Sequence, residues 1–176
     1  MNIDLSMAEA TQGWISHKEL EWLAKQAQKH AIIVEIGSYL GRSTKALADN
    51  TKGVVYAIDD FKGPRDMNLP AAIRNNIYDI FTYNVGDRIN DGHVIPVMAN
   101  HGQIDLEIVP DMVFIDGSHL YDDVKRDITY WWQRLAPKGL LCGHDYINLV
   151  DVKRAVDETL SGFSIAPGTS IWHVQK

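Results

Sequence analysis

Cysteine is nearly absent. Cys142 is the only one in the 176 residues, so no internal disulfide can form and a reducing compartment is expected. Its neighbours Leu140, Leu141 and Gly143 make it a buried strand thiol rather than a nucleophile, since no activating base stands at a motif spacing. Positive charge is also scarce: 17 Lys and Arg face 23 Asp and Glu, for a formal charge of −6. Binding to nucleic acid or to an anionic membrane needs clustered cations, so neither partner is expected. No apolar run approaches the ~20 residues of a membrane span. The first ten residues are polar and acidic, unlike a signal peptide, and a cytoplasmic protein is expected. Repeats, low-complexity tracts and Pro/Gly-rich linkers are missing too. The chain therefore reads as one domain, with residues 1–30 a helical segment and 31–176 the core.

What is present alternates. Residues 17–29 predict a helix with Leu20, Leu23, Ala24 and Ala27 on one face. Strands are predicted at 31–36, 54–59, 93–98, 112–115 and 140–143, and helices at 42–50 and from Pro70 to about Tyr83. Val124, Ile128, Trp131 and Leu135 mark a further helix, with Asp122 and Asp123 in its first turn. Val152, Val156 and Leu160 mark another, and residues 163–174, centred on Pro167-Gly168, read as a hairpin. Alternation of this kind predicts an α/β fold, a Rossmann-like three-layer αβα arrangement. Its seven-stranded sheet would be mainly parallel, with a C-terminal antiparallel hairpin.

Four predicted strands end in polar or acidic residues: Glu35, Asp59-Asp60, Asp116 and His144-Asp145. In open α/β sheets ligands sit at the carboxyl ends of strands, where the strand order reverses. The first strand also runs into a glycine-rich turn and a helix start, Val34-Glu35-Ile36-Gly37-Ser38-Tyr39-Leu40-Gly41-Arg42-Ser43-Thr44. Its G-x-x-x-G spacing is not the dinucleotide fingerprint G-x-G-x-x-G, and an acid beside the turn suits a cationic ligand group better than a pyrophosphate.

Five segments in order, V-E-I-G-S-Y-L-G-R-S-T (34–44), A-I-D-D (57–60), D-M-V-F-I-D-G-S-H-L-Y-D-D-V (111–124), L-A-P-K-G-L-L-C-G-H-D-Y (135–146) and V-K-R-A-V-D-E (152–158), carry a resemblance. The chain resembles class I S-adenosylmethionine-dependent methyltransferases. More narrowly it is similar to the branch with macrocin O-methyltransferase and cephalosporin-hydroxylase-like proteins, and more distantly to catechol O-methyltransferases. The resemblance implies that Glu35, Gly37, Ser38, Tyr39 and Gly41 surround the methionine part of S-adenosylmethionine. Ser43 and Thr44 would bring hydroxyls to its carboxylate. Asp59, followed by Asp60, would take the ribose hydroxyls, Asn100 and His101 would lie at the adenine, and Asp116 would close the cofactor site.

Methyl transfer to a hydroxyl also needs a proton acceptor. His119 and His144 are the candidate bases, with Asp116 beside them. Asp116 and Asp145 end neighbouring strands, and two carboxylates with waters and substrate oxygens suit Mg²⁺. Tyr146 stands where many metal-dependent relatives carry Asp or Asn, which leaves a third protein ligand unassigned. The loop at 61–68 could meet an anionic substrate through Lys62 or Arg65, although a plain surface loop reads as well. Trp131-Trp132 reads as core packing plus a surface ring, and Lys125-Arg126 as a solvated face.

The leading expectation is a small-molecule methyltransferase acting on a hydroxyl oxygen, with sugars, phenols and macrolide-like hydroxyls all compatible. A non-catalytic S-adenosylmethionine-binding module and a nicotinamide-dependent oxidoreductase are the alternatives. With one helix predicted before the sheet, little chain is left to cap the substrate, so either the Phe61–Asn90 region holds the acceptor or a second subunit covers the site, and a homodimer is a reasonable expectation.

Overall fold

β-branched segments too short and too apolar for surface helices pair into one sheet, and the amphipathic segments between them cover its faces. The computed structural model describes residues 2–64, 68–99, 104 and 106–176. Its elements in chain order are α1 (Ser6–Ala10), α2 (His17–Ala27), β1 (Ile32–Ile36), α3 (Arg42–Ala48), β2 (Val54–Asp59), α4 (Ala71–Arg74), α5 (Ile77–Asn90), β3 (Val94–Met98), β4 (Met112–Ile115), α6 (Tyr121–Arg134), β5 (Leu140–Gly143), α7 (Val150–Thr159), β6 (Ser164–Ile165) and β7 (Trp172–Gln175). The seven strands lie in the order β3-β2-β1-β4-β5-β7-β6. The first five are parallel, and β7 runs antiparallel to β5 and β6. Chain progression reverses between β1 and β4, which makes their carboxyl ends the switch point. Pro96 fits its strand because β3 is at the edge.

Strand alternation sorts the core into two layers. Ile33, Val55, Ala57, Met112, Phe114 and Cys142 face one side, with α2, α3 and α5. Val34, Ile36, Ile58, Val113, Ile115 and Leu141 face the other, with α6 and α7. Leu20, Leu23, Ala24 and Ala27 are fully buried as their spacing predicted, and so is Cys142, whose thiol donates to the Val113 carbonyl. Trp131 is core and Trp132 is only partly buried. Among the described residues no helix is long and apolar enough to cross a membrane.

Two expectations need correction. The single helix expected from Pro70 is two, α4 and α5, and it continues to Asn90. The break falls at Asn75-Asn76, where the Asn76 side chain donates to the Ala72 carbonyl in competition with the helical ladder. A second helix, α1, precedes α2, so the N-terminal segment has more structure than expected.

Two glycines fix the turn after β1. Gly37 has φ +87°, and a Cβ there would stand 2.2 Å from the Asp116 carbonyl oxygen. Gly41 has φ +92°, and a Cβ there would stand 2.6 Å from Val85 of α5. The turn is thus wedged between the end of β4 and a helix. Lys45, 1% exposed, pairs with Asp49 at 3.0 Å and with Asp87 at 2.8 Å, tying α3 to α5. Gly37→Ala adds left-handed strain of ~1–3 kcal/mol to a backbone clash. We expect it to cost about 3 kcal/mol or more in urea unfolding, and a loss under about 1 kcal/mol would contradict the wedge.

Candidate active site

The carboxyl ends of β1, β2, β4 and β5 open onto one cavity of about 540 Å³, a usual size for a small-molecule site. Ser38, Tyr39 and Ser43 line it from the first turn, Asp59 and Asp60 from the end of β2, and Asp116, His119, His144 and Asp145 from the ends of β4 and β5. Among the described residues, two of the four non-glycine residues with positive φ, Tyr39 at +47° and Asp145 at +63°, are on this wall. Such strain gathers at functional sites, because the surrounding structure must hold it in place.

Not every expected residue reaches the cavity. Glu35 is fully buried and faces the α3 layer, as the alternation of β1 requires. Its Oε2 accepts from Ser38 Oγ at 2.7 Å and from Thr44 Oγ1 at 2.5 Å. Burial raises the Glu35 carboxyl to about 7, against the opposing hydroxyls of Ser43, Thr44 and Ser38. Glu35, Thr44 and Gly41 at the helix start shape the turn, while Gly37, Ser38, Tyr39 and Ser43 line the cavity. Asp59 accepts the Tyr39 N–H at 2.8 Å through Oδ2 and the Phe61 N–H at 2.6 Å through Oδ1. Each oxygen has a second lone pair, and Asp59 lines the cavity. Burial raises the Asp59 pKa despite those bonds. Gly63 and Pro64 bring the loop after β2 to the wall. Asn100, His101 and Arg65 lie outside the described residues.

The predicted convergence of Asp116 and Asp145 is present, with an imidazole between them. Ligand atoms of Asp116, His144 and Asp145 all lie within 4.8 Å of one another. His144 Nδ1 is 3.5 Å from Asp116 Oδ1 and 3.2 Å from Asp145 Oδ1, and its Nε2 is 3.1 Å from Glu19 Oε1. His119 Nε2 lies 3.2 Å from Asp145 Oδ2. Burial alone would lower the His144 pKa, but the carboxylates of Asp116, Asp145 and Glu19 outweigh it and push the ring up to about 12. Glu19 shows the mirror case. Burial opposes its charge, while His144, the Ser170 N–H and Ser16 hold it down at about 2. Burial raises Asp116, and Asp145 is held well below the ordinary range by His119 and His144 despite its burial. Both ring nitrogens of His144 face carboxylates, an arrangement that favours its charged form over a base, whereas His119 sits at the cavity 3.2 Å from Asp145.

Sequence reasoning missed Gly13, Trp14 and Ile15, which line the cavity, and Glu19. Ser16 and Glu19 form a capping box at the start of α2, and that S-x-x-E pattern was a readable signal for Glu19. Arg42 holds the same segment. Its Nε donates to the Ile15 carbonyl at 2.8 Å, and its Nη1 lies 3.0 Å from the Ala8 oxygen, 3.1 Å from that of Glu9 and 2.7 Å from that of Thr11. The chain's own N-terminal segment thus covers part of the site, which corrects the expected shortage of capping material.

The model of a family described as "Methyltransferase domain" matches residues 34–146, more than half of the chain. No match was found among curated protein sequences. Solved structures share the fold. An S-adenosylmethionine-dependent O-methyltransferase from Thermotoga maritima aligns with a TM-score of 0.68 and 13% identity, over 97% of this chain and 71% of that one. An O-methyltransferase from Bacillus cereus in complex with SAH gives 0.67 and 15%, over 93% and 83%. An rRNA methylase from Streptococcus thermophilus gives 0.61 and 16%, over 93% and 95%.

A raised histidine pKa stabilises the fold fully below the unfolded value of about 6.5, and that stability is lost only as pH climbs through the folded value. For His144 the window therefore runs from about 6.5 up to about 12. NMR of the His144 ring between pH 6 and 9 is expected to show imidazolium shifts throughout. A titration centred near 6.5 would refute the network.

Proposed function

The chain belongs to the methyltransferase-domain family, and from that premise we propose that it moves a methyl group from S-adenosylmethionine to a hydroxyl oxygen of a small molecule. One observation carries this reading: an acidic cavity at the switch point, with an oriented imidazole at its wall. S-adenosylmethionine, when bound, supplies an electrophilic methyl on a sulfonium. Asp59, Asp60, Asp116, Asp123 and Asp145 line the cavity together with His144, His119 and Arg42, whose guanidinium is held by backbone carbonyls, and with Asp123 paired to Arg126 an acidic surplus still favours the cationic cofactor. Ser38, Tyr39 and Ser43 would face its methionine end, and Asp59 with Asp60 its ribose hydroxyls through charge-assisted bonds. The same acidic lining argues for a small acceptor rather than a nucleic acid.

On the acceptor side, His119 would take the hydroxyl proton, and Asp145 would hold the ring and stabilise the charge it gains. Positioning the hydroxyl and keeping water out supply the remaining acceleration. Magnesium is a poorer fit. Mg²⁺ takes oxygen ligands, and here an imidazole already stands between the two carboxylates, within 3.5 Å of Asp116 and 3.2 Å of Asp145. We therefore assign no step to a metal. Gly13, Trp14 and Ile15 of the N-terminal segment supply part of the cavity wall, and a homodimer that covers the rest stays part of the proposal.

Calorimetric titration with S-adenosylmethionine is expected to give saturable one-to-one binding. S-adenosylhomocysteine should protect the protein against heat, and NAD should not. Binding with no turnover on a broad panel of hydroxylated acceptors would favour the non-catalytic module, and protection by NAD alone would favour the oxidoreductase.

His119→Ala is expected to lower kcat by about 10²–10⁴-fold with cofactor affinity unchanged, measured as S-adenosylhomocysteine formed per minute. Unchanged turnover would remove His119 from the mechanism. A chelator should leave wild-type turnover intact, and dependence on added Mg²⁺ would overturn the metal-free assignment.

A further inference from the structure

Trp14 has an unusual position for a large aromatic. Its side chain is 54% exposed, yet its ring stacks on Tyr39 with centroids 5.0 Å apart at 29°. Tyr39 belongs to the turn whose N–H is fixed on Asp59. Behind Trp14 the backbone is pinned, because the Arg42 guanidinium engages four carbonyls on both sides of it. Trp14 also lines a second, more open hollow that shares His144 with the main cavity and runs to the loop between β6 and β7. A pinned ring with half its surface in water at the junction of two hollows has a free surface that the fold itself does not use.

The surrounding rim has the same character. Leu120 is 63% exposed on the main cavity and Ile147 is 66% exposed on the second hollow. Among the described lining residues Arg42 is the one Lys or Arg, and its guanidinium is spent on backbone carbonyls. Five aspartates line the same cavity, of which Asp123 pairs with Arg126 at 2.7 Å and Asp116 and Asp145 flank His144. A wall whose one Lys or Arg is already engaged offers phosphate and carboxylate groups little attraction, and its apolar rim gains from a flat apolar group.

We propose that Trp14 is the specificity wall for the methyl acceptor, and that the acceptor is a hydroxylated aromatic ring without phosphate or carboxylate, lying against the Trp14 face. This rests on the methyltransferase reading above, since it takes the cavity beside Tyr39 as the cofactor's. Stacking on the indole would hold the ring, and His119 on the same cavity wall would meet its hydroxyl. Nucleotide-linked acceptors, which carry phosphates, would find the lining Arg42 already engaged by backbone carbonyls.

The test is calorimetry on the full chain saturated with S-adenosylhomocysteine, with 2,3-dihydroxynaphthalene as the flat probe and uridine diphosphate glucose as the phosphate-bearing one. Wild type is expected to bind the first and not the second. Trp14→Ala should weaken naphthol binding about tenfold, on the scale of an aromatic contact, and Trp14→Phe should stay within about threefold of wild type. Both variants should keep the S-adenosylhomocysteine affinity, which also reports that they are folded. Equal naphthol affinity in Trp14→Ala, preference for the nucleotide sugar, or loss of cofactor affinity instead of naphthol affinity would each overturn the proposal. If wild type fails to bind S-adenosylhomocysteine at all, the methyltransferase reading fails first. Cofactor binding without naphthol binding sinks only the acceptor assignment.

Discussion

One imidazolium ties together the parts of this protein that would otherwise be separate. His144 follows β5 and touches carboxylates from three places: Glu19 on α2, Asp116 after β4, and Asp145 beside it. Glu19 in turn accepts the Ser170 N–H from the loop before β7 and the Ser16 N–H at the start of α2. The N-terminal segment, the centre of the sheet and the terminal hairpin therefore meet at one charged ring. Buried charges are tolerated only when paired, and removing a partner leaves an uncompensated ion. The network makes the carboxylate ends of β4 and β5 a rigid floor. It also favours a charged His144, which is why the proposed mechanism gives proton removal to His119.

Other polar groups are committed in the same way, and the cavity is what they leave open. Glu35 is used on the hydroxyls of Ser38 and Thr44, and Arg42 on the carbonyls of the N-terminal segment. Both look like ligand-binding residues by type, yet Arg42 spends its bonds on backbone and Glu35 spends Oε2 on the turn, while its buried Oε1 has no hydrogen-bond partner among the described residues. The groups facing the cavity are then mostly aspartates from strand ends, with aromatic and aliphatic side chains at the rim. That combination suits a cationic cofactor and a neutral, flat acceptor better than anything phosphorylated.

Much of this was legible in order along the chain. The parallel strands, the buried face of α2, the hairpin and the strand-end acids follow from periodicity, because burial of one face leaves its period in the sequence. The break between α4 and α5 was not legible, since Ile73, Ile77 and Ile80 keep helical spacing across it. Only the Asn76 side chain, competing for the Ala72 carbonyl, interrupts the ladder. Helix α1 has five residues, too few for a period to show. Trp14 gave no signal because it belongs to no periodic face. Its position depends on Arg42, 28 residues further along the chain.

By itself the sequence determined the order of strands and helices, the glycines that admit the turn after β1, and the acids at strand ends, because each rests on neighbours in the chain. Only the tertiary structure decided which of those acids face the cavity, that His144 is charged, and that Trp14 is presented at the mouth. These depend on groups brought together from distant positions, whose mutual distances set burial, pairing and protonation.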